Sequence, residues 1–214
     1  MAEIIRRNMD GHTVIAVWEI TETTGELLEM LSFKPQEKKQ YDTFLAEQRK
    51  KQWLAYRILI RTLLHPEEYP VEYDQPGKPF LTGSQYHISV THSHDRAAVI
   101  ISSAFRTGID IEKVSPRIRK VRDRFLSDRE LSDLQDPDDL EALTLVWCAK
   151  EALYKLYGLK NLDFKKNIRV HFPQNACPIH FKGFIQQGGI NKEYRLHAEL
   201  LDDFILVYVT DQII

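Results

Sequence analysis

The chain has 214 residues, is 43% hydrophobic and carries a formal net charge of -2, which gives enough apolar material for a sizeable core and too little positive charge for a general nucleic-acid binder. Its two cysteines, Cys148 and Cys177, show no paired spacing that would suggest a disulfide framework or a zinc site. No stretch approaches the ~20 apolar residues of a membrane span, and the first apolar run, Val14 to Trp18, is too short for a signal-peptide core, so a cytoplasmic protein with no membrane or nucleic-acid partner is expected.

In chain order, Val14 to Trp18 reads as a buried strand. Residues 35–64 read as helix: Pro35 suits a helix start, Pro66 lies just past the end, and Phe44, Leu45, Trp53, Leu54, Ile58, Leu59 and Leu63 recur at roughly helical spacing. The cations Arg49, Lys50, Lys51 and Arg57 are interleaved with them. Tyr69 to Gln75 looks extended and Pro76-Gly77-Lys78-Pro79 is a turn. His87 to Thr91 and Ala97 to Ser102 look like a hairpin, and Thr107-Gly108 opens the strand Ile109-Asp110-Ile111-Glu112. Residues 117–135 form a charged helical stretch. A further helix, capped by Asp138 or Asp139, runs to Tyr157 and ends at Gly158. The tail, residues 168–212, is rich in β-branched and aromatic residues, with a hairpin from Tyr194 to Val209 turning at Leu201-Asp202-Asp203. The expected architecture is α+β: two similar halves related by a pseudo-twofold, residues 1–105 and 106–214, each a small antiparallel sheet packed with a long helix.

Two segments carry the chemistry. In the first, Gly108-Ile109-Asp110-Ile111-Glu112, residues two apart on a strand share a face, so Asp110 and Glu112 project together while Ile109 and Ile111 are buried. Two adjacent carboxylates are tolerable when solvated, as on an exposed edge strand, or when a cation lies between them; oxygen ligands in small number suit Mg²⁺, which completes its shell with water and phosphate oxygens. In the second, Trp147-Cys148-Ala149-Lys150-Glu151-Ala152-Leu153-Tyr154-Lys155, Glu151 and Lys155 have the spacing of an ordinary helical ion pair. Lys150 interrupts the apolar stripe Leu143, Val146, Leu153, Tyr157, where a lysine must snorkel or meet an anion.

This pair of motifs, in this order and spacing, resembles the two signatures of the 4'-phosphopantetheinyl transferase superfamily. Gly77-Lys78-Pro79 and Thr91-His92-Ser93 resemble two shorter elements of the same superfamily. The length is similar to its longer, single-chain, surfactin-synthetase-activating type, and the similarity runs from about residue 35 to 160. The resemblance implies transfer of the phosphopantetheine arm of coenzyme A to a serine of an apo acyl or peptidyl carrier protein, with Mg²⁺ as cofactor and adenosine 3',5'-bisphosphate released. It implies Asp110, Glu112 and Glu151 as metal ligands, Glu151 also as candidate general base, and Lys155 at the phosphates. It places His92, with Arg49 and Lys50, toward the 3'-phosphate and Gly77, Lys78 and Pro79 at the adenine; Thr91 is a further coenzyme A-binding candidate, as is Lys150, whose ammonium the helix could aim at phosphates. A solvated helix face accounts equally for Arg49 and Lys50.

The run Arg117, Arg119, Lys120, Arg122, Arg124 is a candidate docking surface for an acidic carrier protein, or a plain soluble helix. Gly77-Lys78 is no Walker loop, because Pro79 stands where Ser or Thr is required. His92 and His94 lack a convincing third partner for zinc. Two other classes stay open: a metal-dependent phosphohydrolase of coenzyme A or a nucleotide, using water as nucleophile, and a silent protein that binds coenzyme A or carrier proteins. If the two halves build one site between them, a monomer suffices.

Overall fold

Two antiparallel sheets, each covered by one long helix, make up most of the molecule. The structure is a computed structural model that describes residues 4–75, 77–171 and 179–211. The elements in order are β1 (Ile4–Asn8), β2 (Thr13–Glu19), α1 (Thr24–Glu29), α2 (Pro35–Asp42), α3 (Glu47–Leu64), β3 (Val71–Tyr73), β4 (Pro79–Leu81), β5 (His87–Ser93), β6 (Arg96–Ser102) and β7 (Thr107–Lys113). A 3-10 turn (Pro116–Lys120) follows, then α4 (Arg122–Phe125), α5 (Asp128–Asp133), α6 (Leu140–Tyr157), β8 (Ile168–Val170), β9 (Ile179–Gln187), β10 (Ile190–Leu201) and β11 (Phe204–Thr210). One sheet has the order β1-β2-β6-β5, the second β7-β11-β10-β9-β8, and β3 pairs with β4 in a small ribbon. The fold is mixed α/β with antiparallel sheets, consistent with the α+β class expected.

The cores follow from strand alternation. Ala16 and Trp18 of β2, with Ala97, Val99 and Ile101 of β6, pack under Trp53, Leu54 and Leu59 of α3. Ile205, Val207 and Val209 of β11 pack under Leu153 and Ala152 of α6. The opposite parity, Ile15, Val17, Ala98 and Ile100 against Ile109, Ile111, Leu206 and Tyr208, closes a third core where the sheets face each other. Among the described residues, no helix is long and apolar enough to cross a membrane.

Helix α6 is set by its ends. The Asp139 carboxylate accepts from the N–H groups of Glu141 and Ala142, and Gly158 closes the helix in the left-handed region at φ 73°. Two expected helices are broken. Residues 35–64 divide because the Thr43 hydroxyl bonds back to the Gln40 carbonyl and Ala46 is extended, leaving Leu45 in solvent. Residues 117–135 divide because Leu126 is extended and Ser127 and Glu130 form a capping box that starts α5 afresh. The strand β1 and the helix α1 were not expected from the sequence; α1 starts at a capping box of Thr23 with Glu26. Pro76 of the expected turn and Cys177 lie outside the described residues.

Gly108 shows how tightly β7 meets α6. A Cβ there would stand 1.9 Å from the Ala152 carbonyl oxygen and 2.9 Å from the Leu156 nitrogen. Both are backbone atoms, so a side chain must push the helix off the strand. Gly108→Val is expected to lower stability by at least the ~1–3 kcal/mol of overpacking and to weaken any activity that needs β7 and α6 together. Gly25→Ala, whose Cβ would meet nothing closer than Thr23 Oγ1 at 3.9 Å, should be near neutral in the same urea titration.

Candidate functional site

The edges of the two sheets meet where β5 runs beside β7, and α3 and α6 converge over that seam. A cleft of about 320 Å³ opens there, lined by Arg49 and Tyr56 of α3, His92 of β5, Asp110 and Glu112 of β7, and Glu151 and Lys155 of α6. Residues far apart in the chain reach it by simple rules. Asp110 and Glu112 share a strand face, and Glu151 and Lys155, four apart, share a helix face. Tyr73, Val90, Thr91 and Trp147 complete the wall.

The carboxylates differ in their surroundings. Asp110 is buried; its Oδ1 accepts from Lys155 Nζ at 2.7 Å and from the Thr91 hydroxyl at 2.8 Å. Among the described residues no N–H or O–H reaches its buried Oδ2. Glu112 accepts from the Ser93 hydroxyl at 2.7 Å, and burial raises its pKa despite that bond. Burial, then the charge of Asp110, pushes Glu151 up to about 7, with Lys155 pulling the other way. Such a site is poised to take a cation: three carboxylates face one space, one protonates readily, and one keeps a buried oxygen with no donor. Among the described residues, no three His, Cys, Asp or Glu groups are gathered closely enough to form a ready-made metal cage. Carboxylate oxygens in small number are ligands that suit Mg²⁺, which fills the rest of its shell with water and phosphate oxygens.

The basic side of the cleft is built by Arg49, His92 and Lys155. Arg49 Nη1 meets His92 Nε2, and its guanidinium lies 5.2 Å from the Phe44 ring centre. Burial, with Arg49 and Lys155 near, pushes His92 down to about 4, so the ring is neutral at pH 7. Lys155 Nζ is also 3.0 Å from the Ile109 carbonyl oxygen. A second space of about 210 Å³ adjoins the first across Val90 and Lys155 and is lined by Gly77, Lys78, Pro79, Tyr154 and Leu159. Lys78 Nζ there lies 3.4 Å from the Leu156 carbonyl at the C-terminal end of α6, and burial lowers its pKa.

Asp110, Glu112, Glu151, Lys155, Thr91, His92 and Arg49 thus stand in one cleft, with Gly77, Lys78 and Pro79 in its neighbour. Two expected residues stand elsewhere. Lys50 points to another side of α3, 3.7 Å from Glu47 and over the Tyr41 ring, because successive helical residues are turned about 100° apart. Lys150 is fully buried and away from the cleft; its Nζ bonds Glu130 Oε2 at 2.7 Å and the carbonyls of Phe125 and Phe164 at 2.7 and 2.8 Å. The anion its place in the apolar stripe demands is Glu130, so the expectation that it faces phosphate is corrected.

Two lining residues, Tyr56 and Tyr73, escaped the sequence reading. Tyr56 and Tyr73 join hydroxyl to hydroxyl at 2.5 Å on one side of the cleft. Tyr56 lies two helical turns beyond Arg49, so it was findable from helix periodicity. Tyr73 is brought in by the β3–β4 ribbon, which carried no signal. Trp147 borders Glu112 and packs on Phe125 and Phe164 at 5.2 and 5.7 Å between ring centres.

Comparisons with known proteins find similar chains. Residues 106–208 match the model of the 4'-phosphopantetheinyl transferase superfamily. The chain is 32% identical over 116 residues to the 4'-phosphopantetheinyl transferase AcpT of Salmonella typhimurium, covering 51% of this chain and 60% of that protein. It is 32% identical over 119 residues to AcpT of Escherichia coli strain K12, covering 51% and 59%. It is 30% identical over 143 residues to the 4'-phosphopantetheinyl transferase psf-1 of Bacillus pumilus, covering 62% and 60%. The matched region thus spans about 60% of the length of these relatives. By its motifs and by the match over residues 106–208, the chain is similar to the 4'-phosphopantetheinyl transferase superfamily over about half its length.

Proposed function

We propose that this protein transfers the 4'-phosphopantetheine group of coenzyme A to a serine of an apo acyl or peptidyl carrier protein. The observation that carries the reading is the single cleft in which Asp110, Glu112 and Glu151 face Lys155, Arg49 and His92: acids for a cation beside cations for phosphates. The carrier's serine oxygen bonds to the β-phosphorus of the coenzyme A pyrophosphate, and the bond from that phosphorus to the bridging oxygen breaks. Adenosine 3',5'-bisphosphate leaves with the electron pair. Bound Mg²⁺ would neutralise the pyrophosphate charge that develops, held by Asp110, Glu112 and Glu151.

Lys155, which bonds Asp110, brings an ammonium to the leaving phosphate while keeping that carboxylate aligned. Glu151 is the candidate to accept the serine proton, and its elevated pKa suits that task. Arg49 and His92 receive the 3'-phosphate, and the second space beside Lys78 receives the adenine. On this reading residues 1–105 and 106–214 act as two halves that each supply one wall. Arg117, Lys120 and Arg124, all exposed, offer charge to an acidic carrier; Arg119 and Arg122 are engaged with the Asp138 and Pro137 carbonyls.

The test is mass spectrometry of an apo carrier protein incubated with the chain, coenzyme A and Mg²⁺. A gain of one phosphopantetheine group, lost on adding EDTA, is the expected result. Coenzyme A consumed with no gain on several carriers would replace the reading with hydrolysis, and no consumption at all would leave a binding protein.

A further inference from the structure

The seam between the sheets is closed by side chains, and this has a consequence for the cleft. β7 is an edge strand of its sheet, so the N–H groups on its open side need partners. They are taken by three hydroxyls on one face of β5: Ile109 N–H donates to Ser89 Oγ at 3.3 Å, Ile111 N–H to Thr91 Oγ1 at 3.4 Å and Lys113 N–H to Ser93 Oγ at 3.5 Å. All three hydroxyl residues are buried. Two of them act twice, Thr91 donating to Asp110 Oδ1 at 2.8 Å and Ser93 to Glu112 Oε2 at 2.7 Å. At the remaining rung the residue facing Ser89 is Gly108, where no side chain fits.

We infer that Thr91 and Ser93 are positioning residues: their hydroxyls hold the Asp110 and Glu112 carboxylates at a fixed angle to β5, and so preset the cation site of the cleft. This rests on the proposed transferase reading and changes one part of it. A hydroxyl has one proton to give. Thr91 gives its proton to Asp110, so it has none for a phosphate, and the coenzyme A contact expected of Thr91 passes to its neighbours Arg49 and His92. The same bonds fix the register of β5 against β7, and with it the placement of His92 relative to Asp110. Hydroxyls that orient metal-binding carboxylates change cation affinity or rate by ~10–100-fold when removed.

The experiment uses the full chain with Thr91→Val, Thr91→Ser, Ser93→Ala and, as reference, Asp110→Ala. Three readouts are taken: Mn²⁺ binding by electron paramagnetic resonance, amide exchange at Ile111 and Lys113, and kcat and KM for coenzyme A with an apo carrier. Thr91→Val is expected to weaken Mn²⁺ binding by ~10–100-fold and to lower kcat with KM for coenzyme A near wild type. It should also speed exchange at Ile111, and Thr91→Ser should restore all three. Ser93→Ala should act likewise at Lys113. A Thr91→Val protein with wild-type Mn²⁺ affinity and a raised KM would make Thr91 a substrate contact and overturn the inference. Wild-type behaviour of Thr91→Val in every readout, or no Mn²⁺ binding by the unmodified chain, would overturn it too. If the chain transfers nothing while Mn²⁺ binding still depends on Thr91, the transferase reading fails and the positioning role stands.

Discussion

Asp110→Ala is expected to abolish phosphopantetheine transfer while the chain stays folded. The loss should be at least ~10³-fold, because a metal-assisted phosphoryl transfer draws several kcal/mol from the cation and each ~1.4 kcal/mol is a factor of ten. Asp110 is the most exposed to this logic of the three carboxylates, since it alone combines a buried oxygen without a donor with bonds to both Lys155 and Thr91. Asp110→Asn separates charge from shape: the amide oxygen can still accept from Thr91, but the negative charge is gone. Equal loss in both variants assigns the effect to charge. Transfer at near wild-type rate by Asp110→Ala in magnesium would remove the metal role, and a shared fall in melting temperature would assign the loss to folding instead.

The same substitution has a sign that pH can read. Glu151 titrates at about 7 in the metal-free protein, raised first by burial and then by Asp110. Its pKa is therefore above its unfolded value, so its contribution to stability is fully present below the unfolded pKa of ~4.3 and is lost as pH rises through about 7. Asp110→Asn removes one of the raising charges, so the Glu151 pKa should fall and the decline of stability between those two values should shrink. Carbon-13 NMR of the carboxyl group and urea unfolding at several pH values measure both.

The motif residues were legible because strand and helix periodicity are local rules. Asp110 with Glu112, and Glu151 with Lys155, share faces by spacing alone, and both pairs reach the cleft. Arg49 and Lys50 could not be ranked in advance, since neighbouring positions on a helix differ by about 100° and the phase of α3 depends on where it starts. The break at Thr43–Ala46 resets that phase, and the unbroken helix read from periodicity did not contain it. The role of Ser93 was invisible for another reason. It depends on two edge strands lying side by side at a fixed offset, a long-range fact that no window of sequence holds. Tyr73 is silent in the same way, because a three-residue strand carries too little pattern to place its hydroxyl against Tyr56.

Lys150 makes the sharpest case, and Lys150→Met is expected to be among the most destabilising single changes in the molecule. Its ammonium is wholly enclosed and spends its three protons on Glu130 and on the carbonyls of Phe125 and Phe164. Glu130 is as deeply buried, and it also accepts from the N–H and hydroxyl of Ser127 and from the Val170 N–H. One ion pair thus ties α6 to the start of α5, to β8 and to the loop before it. Methionine fills the same space but leaves a buried carboxylate and two carbonyls without the ammonium, a loss of ~3–5 kcal/mol for breaking a buried pair from one side. Lys150→Met combined with Glu130→Gln should cost less than the two single changes added together, since the second removes the charge the first left stranded. Urea unfolding of the four proteins measures the coupling. Strict additivity would mean the two groups act independently, and Lys150 would have to be sought again among the residues that meet the substrate. With the coupling present, the Lys150–Glu130 pair is an anchor of α6, the helix that also carries Glu151 and Lys155 into the cleft.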